Sequence, residues 1–151
     1  MQHFDTDYAE RLCLRIESIS PDKAPRWGKL RRSGLIEHFI WSLKHAMGKS
    51  TKVPDCSTWF TRTILKPLLL GGYVPIPKNI KLPEQLAKQG VQLSEPGDME
   101  TLQALVEEYL RRVQDDELVP YPHPFLGKMN IDDWDQLHVL HFEHHLRQFN
   151  V

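Results

Sequence analysis

Cysteine is scarce in this chain of 151 residues: there are two, Cys13 and Cys56, and they form no C-x-x-C pair. That argues against a disulfide framework, a thiolate zinc site and a redox dithiol. Long apolar runs are also missing. No stretch approaches the roughly 18 residues that would make a membrane-spanning helix, so no membrane association is expected. The opening MQHFDTDYAERLC is charged and has no apolar segment of the signal-peptide kind, which makes the cytoplasm the expected location. Nor is there an excess of one charge. Nineteen Lys and Arg stand against twenty Asp and Glu, a net charge of −1, so no basic field is available to gather nucleic acid or acidic lipid. The small cluster Lys29, Arg31 and Arg32 reads as a solvated helix start. Internal repeats and the alternating pattern of half-buried strands are absent as well.

Helical periodicity is present. Tyr8, Leu12 and Ile16 recur at helical spacing within 5–18. SPDKAPRWG (20–28) interrupts with two prolines and a glycine. A second helix is predicted from Ser33 to Met47, stopped by Gly48, with Leu35, Phe39, Ser42 and Ala46 on one side and Glu37 and Lys44 on the other. His38 and His45 share a stripe on the flank of its buried side. Residues 59–70 read as a helix kinked at Pro67. The proline-rich stretch that follows reads as an irregular cover within 49–98 rather than as a linker. A third clear helix is predicted from Gly97 or Asp98 to Gln114. LVPYPHPFLGKM (118–129) should be extended, and a last helix should open at Asn130, with Asp133 favourably placed near its positive end. Four main helices and one extra segment in a chain of this length predict a single all-α domain over 1–151, a four-helix bundle with a proline-rich insertion.

The unusual feature is LHVLHFEHHLRQF (137–149), which holds four of the eight histidines. A wheel at about 100° per residue places His141 and His145 roughly 20° to either side of Trp134, in the middle of the apolar stripe. Glu143, Gln136 and Arg147 fall opposite. His144 lies at the edge of the stripe, and His138 shares that marginal reading. Burying an imidazole without a partner costs roughly a few kcal/mol, so two on one buried face need a reason. As i, i+4 neighbours, His141 and His145 can aim at one point and share a divalent ion. A third ligand would have to come from elsewhere, and His38 and His45 are both candidates. Core histidines satisfied by hydrogen bonds, or a surface cluster, would produce the same sequence pattern.

The tail HPFLGKMNIDDWDQLHVLHFEHHLRQF resembles a branch of unknown function within the DinB-like superfamily of metal-binding four-helix bundles. The shared pattern is an H-P-x-x-G segment, a tryptophan, then H-x-x-H-H-L-x-Q-F: His123, Pro124, Gly127, Trp134, His141, His144, His145, Leu146, Gln148 and Phe149. Upstream, Trp27 and Gly28 lead into a helix carrying His38 and closing at Gly48, as in that branch. The resemblance implies a metal held by His38, His141 and His145; it is the resemblance that favours His38 over His45. Residues 49–98 do not align with the pattern.

Three imidazoles leave positions open on a divalent ion, whereas a structural zinc is ordinarily closed by four protein ligands. An open ion can lower the pKa of water toward about 7 or hold a small thiol as thiolate. Members of the superfamily that the chain resembles use such sites for thiol-dependent transfer or isomerisation, and some look like hydrolases, so the resemblance implies a metal-dependent thiol transferase or hydrolase. Zinc or nickel is the first choice of ion, with iron or copper also compatible, and the expected partner is a small-molecule substrate such as a low-molecular-weight thiol. The alternative is a non-catalytic bundle with a structural metal or a protein- or ligand-binding role. His45, His144, Gln148 and His123 are candidates for the surroundings of the ion, with Tyr121 beside His123 near its mouth. The superfamily also suggests a homodimer.

Overall fold

The computed structural model describes residues 1–50, 53–80 and 97–151. Among them are α1 (Thr6–Glu17), α2 (Arg32–Ala46), a π-helical turn (Thr61–Leu65) leading into α3 (Lys66–Leu70), α4 (Met99–Gln114) and α5 (Ile131–Gln148); the described residues contain no strand, only the isolated bridge His123–Gly127.

Helix boundaries follow local chemistry. The Asp5 side chain accepts from the Tyr8 N–H at the start of α1, and Asp98 accepts from the Thr101 N–H at the start of α4. At α5, Asn130 accepts from the Asp133 N–H (2.7 Å) while the Asp133 carboxylate accepts from the Asn130 N–H (3.1 Å). Asp133 is thus half of a reciprocal capping box as well as a charge near the helix dipole. Gly48, at φ +71°, takes the left-handed conformation that ends α2.

The stretch 59–70 differs from the expected simple kink. The Lys66 N–H donates to the Thr61 carbonyl, a five-residue spacing, and Pro67 falls in the first turn of α3. Proline has no N–H to give an α-type ladder, and the wider turn ahead of it takes up the mismatch. Lys66 holds this segment against the head of α5, donating to the Lys128 carbonyl (2.5 Å) and pairing with Asp133 (2.7 Å). Residues 71–80 are turns and irregular chain; the rest of the expected irregular cover, 81–96, lies outside the described residues.

Helix pairs α1·α4, α2·α4, α2·α5 and α1·α5 are all in contact. Their shared core includes Tyr8, Leu12 and Ile16 from α1, Leu35, Phe39 and Leu43 from α2, Leu102 and Tyr109 from α4, and Trp134, Phe142 and Leu146 from α5. Side-chain burial of this kind stabilises by roughly 1.5–3 kcal/mol for each large apolar residue. The wheel's polar side of α5 is not bare. Glu143 accepts two bonds from Arg15 (2.6 and 3.1 Å) and one from the Tyr8 hydroxyl (3.1 Å), which ties α1 to α5.

Candidate metal centre

The pairing of α2 with α5 brings three imidazoles together. His38 Nε2 and His141 Nε2 are 2.7 Å apart. The His145 ring centroid lies 4.8 Å from that of His38 and 4.9 Å from that of His141. One nitrogen from each ring can be chosen so that all three lie within 4.8 Å of one another, and among the described residues this is the one His, Cys, Asp or Glu group with such spacing. Helical geometry explains the arrangement. His141 and His145 are one turn apart on α5, and α2 crosses so that His38 meets that turn.

All three rings are part-buried, and burial disfavours their charged forms. His38 is lowered to about 3, chiefly by burial and then by His145 and His144. His141 sits well below the ordinary imidazole range, first through burial and then through His38 and His145. His145 is lowered by burial, partly offset by its bond to Gln148. Three neutral imidazoles are the protonation state a divalent ion requires. An ion about 2.0–2.1 Å from each nitrogen spaces its ligand atoms by roughly 3–4 Å. The rings therefore fit such an ion once the close His38–His141 pair parts slightly and gives up its shared hydrogen.

The other histidines have different places. His45 is buried and doubly bonded: Nε2 faces the Pro122 carbonyl at 2.9 Å and Nδ1 the Ser50 hydroxyl at 3.1 Å, with the ring stacked on Trp41. Its Nε2 must carry the hydrogen, since a carbonyl can only accept. Of the two α2 histidines, only His38 joins the cluster. His123 Nδ1 accepts the N–H groups of Phe125 (3.1 Å) and Leu126 (3.2 Å), which shapes the H-P-x-x-G turn; burial and His45 lower it to about 3. Tyr121 packs edge-on against His45. His144 is half-buried, 5.1 Å from His145 and 5.6 Å from Trp27 between ring centroids, and lowered to about 4 by burial, His145, Arg147 and Lys78. Lys78 Nζ stands 4.4 Å over the Trp27 ring. Gln148 is buried and bonded to His145 Nδ1 at 2.9 Å.

His138 is the residue that sequence reasoning misplaced. It is fully buried rather than at an edge, between Trp134 (5.3 Å, 28°) and Phe142 (5.3 Å, 21°). Neither ring nitrogen has a hydrogen-bond partner, and the nearby Tyr109 hydroxyl is likewise unpartnered. The signal was there: Trp134 and Phe142 stand at i−4 and i+4 and mark its stripe as core. A cavity of about 280 Å³ between the starts of α2 and α4, lined by Arg32, Ser33, Gly97 and Asp98 among others, shares no residue with the cluster.

No helix among the described residues is long and apolar enough to cross a membrane. Comparison with curated proteins gave no match. Comparison with solved structures gave none either. Residues 11–151 match the family described as protein of unknown function (DUF1569), a span that includes all three clustered histidines, and the chain belongs to that family.

Proposed function

We propose that the chain is a metal-dependent enzyme of the transferase or hydrolase type, with His38, His141 and His145 as ligands of one divalent ion. Zinc or nickel suits three imidazoles first, with iron or copper also compatible. The observation that carries this reading is the convergence of three part-buried, neutral imidazoles from two separate helices. The cluster contains no carboxylate or thiolate, and a three-ligand set of this kind leaves room for a small molecule. When bound, the ion supplies Lewis acidity toward water or a small thiol. The chain's own part is to keep the three rings neutral through burial, to hold His145 through Gln148, and to flank the cluster with the His144 and Trp27 rings.

The cyclic contacts of α1, α4, α2 and α5 support a DinB-like four-helix bundle over a single domain, 1–151. The substrate in this reading is a small molecule, with a low-molecular-weight thiol as first candidate, and a homodimer fits the same superfamily likeness.

The test begins with metal content. Purified protein should bind about one equivalent of zinc or nickel at neutral pH, and the loaded protein should turn over in a panel of ester hydrolysis and thiol-transfer reactions. Protein that binds none of the four metals overturns the reading. Full loading without turnover, together with unfolding on chelation, would instead assign the ion a structural role.

A further inference from the structure

Gln148 is the last residue of α5 and is 5% exposed. Its amide bridges two groups of fixed chemistry. Nε2 lies 2.8 Å from the Trp27 carbonyl, and Oε1 lies 2.9 Å from His145 Nδ1. A carbonyl can only accept, so the amide NH2 must face Trp27. The amide oxygen then faces His145, where it too can only accept, so His145 Nδ1 must be the donor. A neutral imidazole carries one ring hydrogen, and its presence on Nδ1 leaves Nε2 as a bare lone pair.

The geometry points to Gln148 as a positioning residue, anchored on the Trp27 carbonyl, that fixes His145 as the Nδ1–H tautomer and thereby reserves Nε2 for a divalent ion. The role at an ion rests on the metal-centre reading above; the tautomer does not.

The anchor is itself held. The Arg26 N–H donates to the Gln148 main-chain carbonyl at 2.7 Å, so the segment before α2 grips Gln148 through both backbone and side chain. Gly28 follows at φ +72°, and a Cβ there would stand 3.2 Å from Gln148 Nε2 and 3.2 Å from Asn79 Oδ1. The amide is thus packed tightly on its Trp27 side. This also gives the Trp-Gly pair of the sequence a physical role: its tryptophan supplies the carbonyl and its glycine supplies the clearance.

The test uses the full chain and has two arms. In metal-free protein, ¹⁵N NMR of the imidazoles should show hydrogen on Nδ1 of His145, and Gln148→Met, which keeps the volume but removes both bonds, should shift the tautomer toward Nε2–H. In zinc titrations, Gln148→Met should weaken binding by about 10–100-fold, the usual effect of losing a partner to a ligand ring. Gln148→Glu, which restores an acceptor for Nδ1–H, should recover part of that loss. Nε2–H on His145 in the native protein overturns the inference, as does unchanged zinc affinity in folded Gln148→Met. If the native chain binds none of zinc, nickel, iron and copper, the metal reading fails while the NMR arm still decides the tautomer.

Discussion

His38 Nε2 and His141 Nε2 stand 2.7 Å apart across the α2–α5 contact, although the two residues are 103 positions apart in the chain. Two neutral imidazoles meet this closely only when one donates its ring hydrogen to the other. An ion binding here must replace that hydrogen bond, so the pair is the point at which loading can be read.

Alanine at His38, His141 or His145 is expected to abolish stoichiometric zinc binding while leaving the far-UV circular dichroism close to native. His45→Ala should do the reverse. It keeps the three clustered rings but strands the Pro122 carbonyl and opens a hole beside Trp41, at a cost of about 1–3 kcal/mol in urea unfolding. Metal analysis of the four purified variants distinguishes these outcomes, and loss of metal from His45→Ala would count against the assignment.

Proton release tests the burial of the ligands. At pH 6, three solvent-exposed histidines with pKa near 6.5 would carry about two protons in all and release them on binding. His38 is lowered to about 3, and His141 and His145 are also lowered, so zinc binding at pH 6 should release far less than two protons. Titration calorimetry in two buffers of different ionisation enthalpy measures this number directly.

His138 should make the fold acid-sensitive. Its pKa is lowered to about 3 by burial and then by His123, below the ordinary 6.5 of the unfolded chain. As pH falls through 6.5 the unfolded state takes up the proton first. Stability is therefore lost at about 1.4 kcal/mol per pH unit from this residue, over the window between 6.5 and about 3. His138→Phe removes two unpartnered ring nitrogens and keeps a ring between Trp134 and Phe142. It should raise stability at pH 5 by about 1–3 kcal/mol and flatten the acid limb. Urea midpoints at pH 5 and pH 7 give both quantities; a destabilised variant with an unchanged limb would show that His138 has partners the geometry does not reveal.

The Arg15–Glu143 clamp joins the two terminal helices with side chains 34% and 21% exposed. Partial solvent screening discounts its value to about 1 kcal/mol, though the paired geometry places it above a typical surface contact. A double-mutant cycle with Arg15→Met and Glu143→Gln should return a coupling of that size, smaller at high salt. A coupling near zero would assign the link between α1 and α5 to the apolar core alone.

Much of this protein can be read from its residues in order. The apolar spacing in 5–18, the stop at Gly48, the helix opening at Asn130, and the inward pair His141 and His145 are all local. Each depends on side chains within a turn or two of one another, where helical geometry leaves little choice. The same reading could not separate His38 from His45, because α2 is buried on both flanks and a wheel reports a face without its neighbour. It placed Glu143 on an open side, since only the arrival of Arg15 and Tyr8 from α1 closes that side.

Tertiary packing decided the rest. It set which α2 histidine meets the α5 pair, it covered His138 with the rings of Phe4 and Tyr109, and it brought the Trp27 carbonyl to Gln148. These contacts join positions more than a hundred residues apart or depend on what covers a face. Periodicity determines which way a side chain points; only the crossing of two helices determines what it meets.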